Sequence, residues 1–237
     1  MLVKTKAIVI SALKYQEKSL IVKCFTESDG LKSYFVPSAY SNKKANQKIA
    51  YFQALNLLEI EANHKNKGTL EHFKEIKLAH SYHTINTDVV KSTIVLFLSE
   101  ILHHSIHEEE KNQDLFSFLE TAFLWLDTHD EIANFHLILM LEMTKFLGFY
   151  PDTSQNELDF FDIREGIFTP FQGVNCLSQH QTLLFKKALE LKFDSNQKVF
   201  AGTERQIILN TLLDYYTIHL DGFKKPKSLD VLKEVFS

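Results

Sequence analysis

Few residues in this chain of 237 are spaced for chemistry. His103, His104 and His107 with Glu108 put two imidazoles at i and i+4 on one helix face, a spacing that can hold a metal. The glutamate of an H-E-x-x-H pattern is missing, however, and a solvated helix end is the simpler reading. Cys176 and His180 make a C-x-x-x-H half-site with no cysteine pair to complete a zinc centre. Glycine-rich phosphate loops, G-x-S-x-G elbows and C-x-x-C pairs are absent, and seven glycines leave little for a nucleotide cradle. Ser, His and Asp occur without spacing that selects a triad. No catalytic residue, metal site or cofactor is expected, and an enzyme is disfavoured.

The chemistry that stands out is cationic and aromatic. The formal net charge is −4, yet residues 1–48 hold nine lysines against three acids, and residues 1–80 hold 13 lysines against seven. Residues 81–237 reverse this, with 13 lysines and arginines against 23 acids. A split of this kind points to a polyanion partner for the amino-terminal part, the plain alternative being a solvated lysine-rich surface. Lys14, Lys18, Lys32, Lys43, Lys44 and Lys48 are the candidates to neutralise phosphates, and Tyr34 and Tyr40 the candidates to stack on a base, each tyrosine having a plain reading as sheet surface. Arg205, His219, Lys224, Lys225 and Lys227 form a second basic group. It could meet DNA or an acidic peptide, or only complement a helix dipole.

These side chains must be held by short strands first and helices later. Thr5–Leu13, Ser19–Thr26 and Leu31–Pro37 read as strands, and Ser28-Asp29-Gly30 between the last two is a hairpin signal because glycine accepts positive φ. Alternation on the third strand puts Lys32 and Tyr34 together, which predicts a cationic and aromatic face beside a basic loop over Ser38–Lys48. Ile49–Ala62 and Leu70–His80 read as two more strands. Five short antiparallel strands without a covering helix predict a small barrel, an OB-fold or an SH3-like one.

After about residue 85 the period becomes 3.6. Asn86 or Thr87 is expected to cap a helix with its apolar stripe on Val90, Ile94, Phe97, Leu98, Ile101 and Leu102. Asn112–Leu126 and Glu131–Leu147 follow, the latter stopped by Gly148. Phe149–Asn175 breaks the order as an irregular insert. Helices resume over Ser178–Phe193 and from Thr203, where Gln206 three residues on makes a capping-box spacing, and Ser228 opens a last short one. The fold class is therefore α+β, a five-stranded amino-terminal barrel followed by an all-α domain. The boundaries are 1–82 and 83–237, with the insert at about 149–177. No run of about 18 apolar residues and no signal-peptide pattern occurs, and Cys24 sits in a strand that looks buried, so a reducing, cytoplasmic setting is expected.

Both ends of the chain support a resemblance. Thr5-Lys6-Ala7-Ile8-Val9-Ile10, Lys14-Tyr15-Gln16-Glu17-Lys18-Ser19, Phe25-Thr26-Glu27 and Gly30-Leu31 resemble the start of the RecO family of DNA repair and recombination mediators. Leu212-Leu213-Asp214-Tyr215-Tyr216, His219-Leu220-Asp221-Gly222-Phe223 and Lys227-Ser228-Leu229 resemble its carboxy-terminal helix, turn and Lys-Ser-Leu pattern. The resemblance implies an amino-terminal OB-fold and work on single-stranded DNA coated by single-strand binding protein, in a bacterial cytoplasm at the nucleoid. It also implies that the protein anneals complementary strands and acts with RecR to help RecA replace the coating protein. Many members carry a four-cysteine zinc module after the position of Pro151, and Asp152–Asn175 supplies none of those cysteines. The insert is thus expected to pack without metal. The acidic, phenylalanine-bearing tail of single-strand binding proteins needs an apolar pocket rimmed by cations, which places its expected dock at Arg205, at Lys186 and Lys187, or at Lys224 and Lys227. An RNA-binding OB protein of the translation apparatus and a non-catalytic adaptor are the alternatives.

Overall fold

The structure, a computed structural model, describes residues 1–40, 48–65, 69–107, 111–194 and 199–236. The chain forms two compact units, Met1–Thr128 and His129–Ser237.

In the first unit five antiparallel strands, β1 (Leu2–Tyr15), β2 (Ser19–Thr26), β3 (Gly30–Val36), β4 (Leu57–Asn63) and β5 (His72–Leu78), lie in the order β3-β2-β1-β4-β5. Gly30 turns the β2–β3 hairpin at φ +64°, and Thr26 Oγ1 clasps that turn by donating to the Gly30 carbonyl (2.8 Å). The edge strands approach through an isolated parallel bridge between Tyr34 and Glu71, made by Phe35 N to Glu71 O (2.9 Å) and Glu71 N to Ser33 O (2.8 Å). Strand order and bridge match the OB type of partly open five-stranded barrel and decide against the SH3-like alternative.

The fourth strand differs from expectation. Ile49–Ala62 is not one strand, because Ala50–Phe52 is a 3-10 turn and β4 begins only at Leu57. Phe52 is buried in the barrel core, with Ile49 and Tyr51 packed against it, so apolar residues that mimic a strand pattern serve as a plug instead. The Asn56 amide holds the turn through the carbonyls of Ala50 and Tyr51 (3.0 and 3.2 Å). Leu55, at φ +59°, donates its N–H to the Val9 carbonyl (2.8 Å), where the β1–β2 register shifts between Val9 and Ser11.

Inside the barrel lie Ala7, Val9, Leu20, Val22, Cys24, Tyr34, Leu58, Ile60 and Ala62. Ile8, Ile10, Phe25 and Leu31 are buried as well, although none belongs to that core cluster. Helices of this unit account for part of that cover. Helix α1 (Val89–Ser105) packs on β1, and α2 (Gln113–Thr128) brings Phe116 against Phe25 (5.9 Å between rings) and Glu120 to Lys6 (2.8 Å). Asp88, rather than Asn86 or Thr87, caps α1 by accepting from Lys91 N (2.9 Å). Asp127 near the end of α2 accepts from the backbone N–H groups of His83, Thr84 and Ile85 (2.9, 2.8 and 3.1 Å) and so ties the segment after β5 to the helix. The buried Lys91 ammonium completes the junction on Thr84 Oγ1 (2.8 Å) and the Asp127 carbonyl (3.2 Å).

The second unit contains α3 (Phe135–Phe146), α4 (Gln179–Leu189), α5 (Gly202–His219) and α6 (Leu229–Val235). Ser178 builds a full capping box with Gln181. Thr203 does not cap α5, which starts at Gly202 with Glu204 accepting from Ala201 N (2.7 Å), so the first turn begins earlier than the Thr203–Gln206 spacing suggests. The insert is less irregular than expected. It folds a small hairpin of β6 (Phe160–Asp162) and β7 (Ile167–Thr169). Phe161 anchors it against Phe168, Phe185 and Tyr215 at 4.7 to 5.9 Å between rings.

Candidate nucleic-acid interface

Strand alternation decides which side chains reach the barrel surface, and it reverses one expectation. Lys32 and Tyr34 do share a face, but it is the interior one, because they pair with the core residues Cys24 and Val22 across β2–β3. Tyr34 is fully buried, stacked on Phe73 at 4.0 Å, with its hydroxyl 2.7 Å from His64 Nε2. His64 Nδ1 in turn lies 3.1 Å from Asp29. Burial pushes the Tyr34 phenol well above its ordinary range, with Cys24, Asp29 and Glu71 adding to it. A base cannot stack on this ring, and Lys32 is likewise buried.

The outer face of the same strands carries what the sequence reading missed. Leu13 pairs with Ile21 and Ile21 with Phe35, so the three line up across β1, β2 and β3 on the side opposite Val22 and Tyr34. Tyr15 meets Phe35 edge-on at 6.2 Å, and Phe35 meets His72 edge-on at 5.9 Å. Leu13 and Tyr15 are 62% and 43% exposed, His72 is exposed and Phe35 half-buried. This is an aromatic stripe open to solvent on the side where OB-folds take oligonucleotides. The signal was present in the alternation, since Tyr15 and Phe35 fall out of phase with the buried set once the shift between Val9 and Ser11 is counted.

Lysines stand at its end. Lys14 and Lys18 are exposed at the β1–β2 turn. Lys14 Nζ lies 5.5 Å from the centre of the Tyr40 ring, and Tyr40 N donates to the Lys18 carbonyl (3.2 Å). The structure thus brings Lys14, Lys18 and Tyr40 together, with Tyr40 40% exposed. Lys48 is exposed in a groove shared with Ser38 and Ala39, whereas Lys43 and Lys44 lie outside the described residues. Farther along the outer face Lys23 is half-buried, and desolvation lowers its pKa. Burial, then Lys23, His104 and His107, lower that of His103.

The basic residues expected to meet a protein partner have mixed settings. Lys187, Lys224 and Lys227 are exposed, Lys186 Nζ sits 5.4 Å from the centre of the Phe168 ring, and Lys225 is paired with Asp214 (2.7 Å). Arg205 is partly buried. Its Nη1 donates to the Phe200 carbonyl (2.7 Å), and its guanidinium lies 5.9 Å from the Phe236 ring centre, so it helps hold the end of the chain. Among the described residues no three His, Cys, Asp or Glu side chains are placed to hold a metal, and no helix is long and apolar enough to cross a membrane.

Fold and surface together define an α+β protein with an OB-type amino-terminal sheet. Residues 1–82 match the family model for the recombination protein O amino-terminal region and residues 86–230 that for its carboxy-terminal region. The chain belongs to the recombination protein O family. Over its whole length it is 69% identical to the whole of the DNA repair protein RecO of Flavobacterium psychrophilum and 68% identical to that of Flavobacterium johnsoniae. The Bacteroides fragilis protein of the same name is 37% identical, again over both full chains. The two family models meet between residues 82 and 86, while the compact units divide at 128, because α1 and α2 pack with the sheet.

Proposed function

We propose that this chain is a non-catalytic recombination mediator that binds single-stranded DNA on the outer face of its barrel. In this reading it anneals complementary strands and, with a RecR partner, helps RecA replace single-strand binding protein. The observation that carries the reading is the solvent-open stripe of Tyr15, Phe35 and His72, with Lys14 and Lys18 exposed at the β1–β2 turn where β1 ends and Lys14 against Tyr40. Rings on such a stripe stack on bases without regard to sequence, and the lysines release counterions from phosphates. Both act within the stretch of the chain that holds its lysine excess.

In this reading the acidic tail of single-strand binding protein docks on the second unit, where Lys186, Lys187, Lys224 and Lys227 supply cations and Arg205 holds Phe236 at the chain end. In this reading the protein works in the bacterial cytoplasm, at the nucleoid. Fluorescence anisotropy with labelled oligothymidine tests the reading. Replacing Tyr15 and Phe35 by alanine together is expected to weaken binding at least about tenfold, in line with about 1–3 kcal/mol per stacked base. Equal affinity for the double variant removes the stripe from the site, and preferential competition by single-stranded RNA would transfer the reading to RNA.

A further inference from the structure

The outer face of the barrel continues past the aromatic stripe. Beside the row of Leu13, Ile21 and Phe35 lies a polar one, where Lys23 of β2 pairs with Ser11 of β1 and with Ser33 of β3. Two residues farther along β2, Phe25 packs against Phe116 of α2, so helix cover begins just beyond the Lys23 row.

The end of α1 brings histidines to that boundary. His103 and His104 stand in its last turn with their rings edge-on at 5.1 Å, and exposed His107 follows. Burial first, then Lys23, His104 and His107, hold His103 below its ordinary pKa, with Glu100 of the same helix opposing them. That coupling places Lys23 beside the histidines, and desolvation lowers the lysine's own pKa. His103 Nδ1 is buried without a hydrogen-bond partner among the described residues. Glu108–Glu110, next in sequence, lie outside the described residues. Histidines near a helix C-terminus complement its dipole, but this accounts only for the helix residues and not for a lysine brought to the same corner by a strand. Like charges gathered from two elements repel one another, and a bound polyanion relieves the repulsion.

We propose that Lys23, His104 and His107 carry the single-strand path on from the aromatic stripe, the two imidazoles taking phosphates only when protonated, so that the grip on DNA tightens as pH falls through the histidine range. The inference rests on the proposed function and adds regulation to it. An imidazole of ordinary pKa, about 6.5, is mostly neutral at about pH 8 and mostly charged at about pH 6. Neutral, it offers a phosphate one N–H; charged, it offers two donors and a positive charge that displaces a counterion. Phosphate in turn favours the charged form, so binding takes up protons. His103, with its ring desolvated, positions the corner and makes no phosphate contact. His72 also stands on this face, in the stripe itself, and is the competing source of a pH response.

The test measures the affinity of the full chain for labelled oligothymidine over a salt series at about pH 8 and at about pH 6. The natural chain is expected to bind at least about fivefold more tightly at the lower pH, and its slope of log affinity against log salt to steepen by about 1.4, or about 0.7 for each added phosphate contact. His104→Gln/His107→Gln is expected to lose both the gain and the steepening. Lys23→Gln is expected to flatten the slope by about 0.7 at both pH values and to keep the pH response. His72→Gln is expected to keep the gain and the steepening. An equal slope at both pH values in the natural chain, or a pH response retained in His104→Gln/His107→Gln, overturns the inference. A response lost in His72→Gln moves the titrating group to the stripe and overturns it too. The proposed function fails separately, when Tyr15→Ala/Phe35→Ala binds as tightly as the natural chain.

Discussion

Two tyrosines nineteen positions apart, Tyr15 and Tyr34, show how side-chain direction separates binding from stability. Tyr34 is buried with its hydroxyl against His64, so Tyr34→Phe is expected to cost about 1 kcal/mol of stability, read by denaturant titration, and to leave oligothymidine affinity unchanged. Tyr15 is exposed beside Phe35, and Tyr15→Ala is expected to do the reverse. The alternation of β3 correctly put Lys32 and Tyr34 on one face, but alternation says which residues go together and not which face is inside. Resolving that required the shift between Val9 and Ser11 and the helices that cover part of the sheet. Lys14 and Lys18 were legible as cations near the turn because nothing buries them. Replacing both with glutamine is expected to flatten the slope of log affinity against log salt by about 1.4, or 0.7 for each phosphate contact on a single strand.

Two junctions tie the elements together. Asp127 looked like ordinary helix-end charge in the sequence, since the backbone groups it serves lie more than forty residues earlier. Burial raises its pKa, but the N–H groups of His83, Thr84 and Ile85 outweigh that and hold the carboxyl down at about 2. A depressed folded pKa means that the stabilisation is complete above the unfolded value of about 3.9 and is lost as pH falls towards the folded one. Asp127→Asn is therefore expected to lower stability at neutral pH and to remove pH dependence between about pH 4 and 2, as followed by thermal melts. The other junction is the hairpin of the insert. Scattered phenylalanines hid its two three-residue strands from any period, while Phe161 fixes it through rings from α4 and α5. Phe161→Ala is expected to cost about 3–5 kcal/mol. Chelator is expected to leave the melting temperature unchanged, and stoichiometric zinc in elemental analysis would show that the hairpin is held in another way.

For the molecule as a whole, the lysine excess of the first 48 residues and the acidity of the rest were plain in the composition, and so was the change of period near residue 85. The packing of α1 and α2 with the sheet was not, because an amphipathic helix shows that it has an apolar face without showing what covers that face. The 3-10 plug at Ala50–Phe52 escaped for a similar reason, as its apolar residues suit a strand equally well. Family membership and the OB-type sheet both point to DNA, and in the proposed function the outer aromatic face of the barrel grips a single strand by stacking and by phosphate contacts. The most direct measurement is an oligothymidine titration over a salt series, comparing the natural chain with Tyr15→Ala/Phe35→Ala. Affinity is expected to fall steeply with salt, with the double variant weaker by at least about tenfold at every salt concentration and nearly parallel in slope, since stacking is lost and charge is kept. Affinity equal for both proteins throughout the series would contradict it.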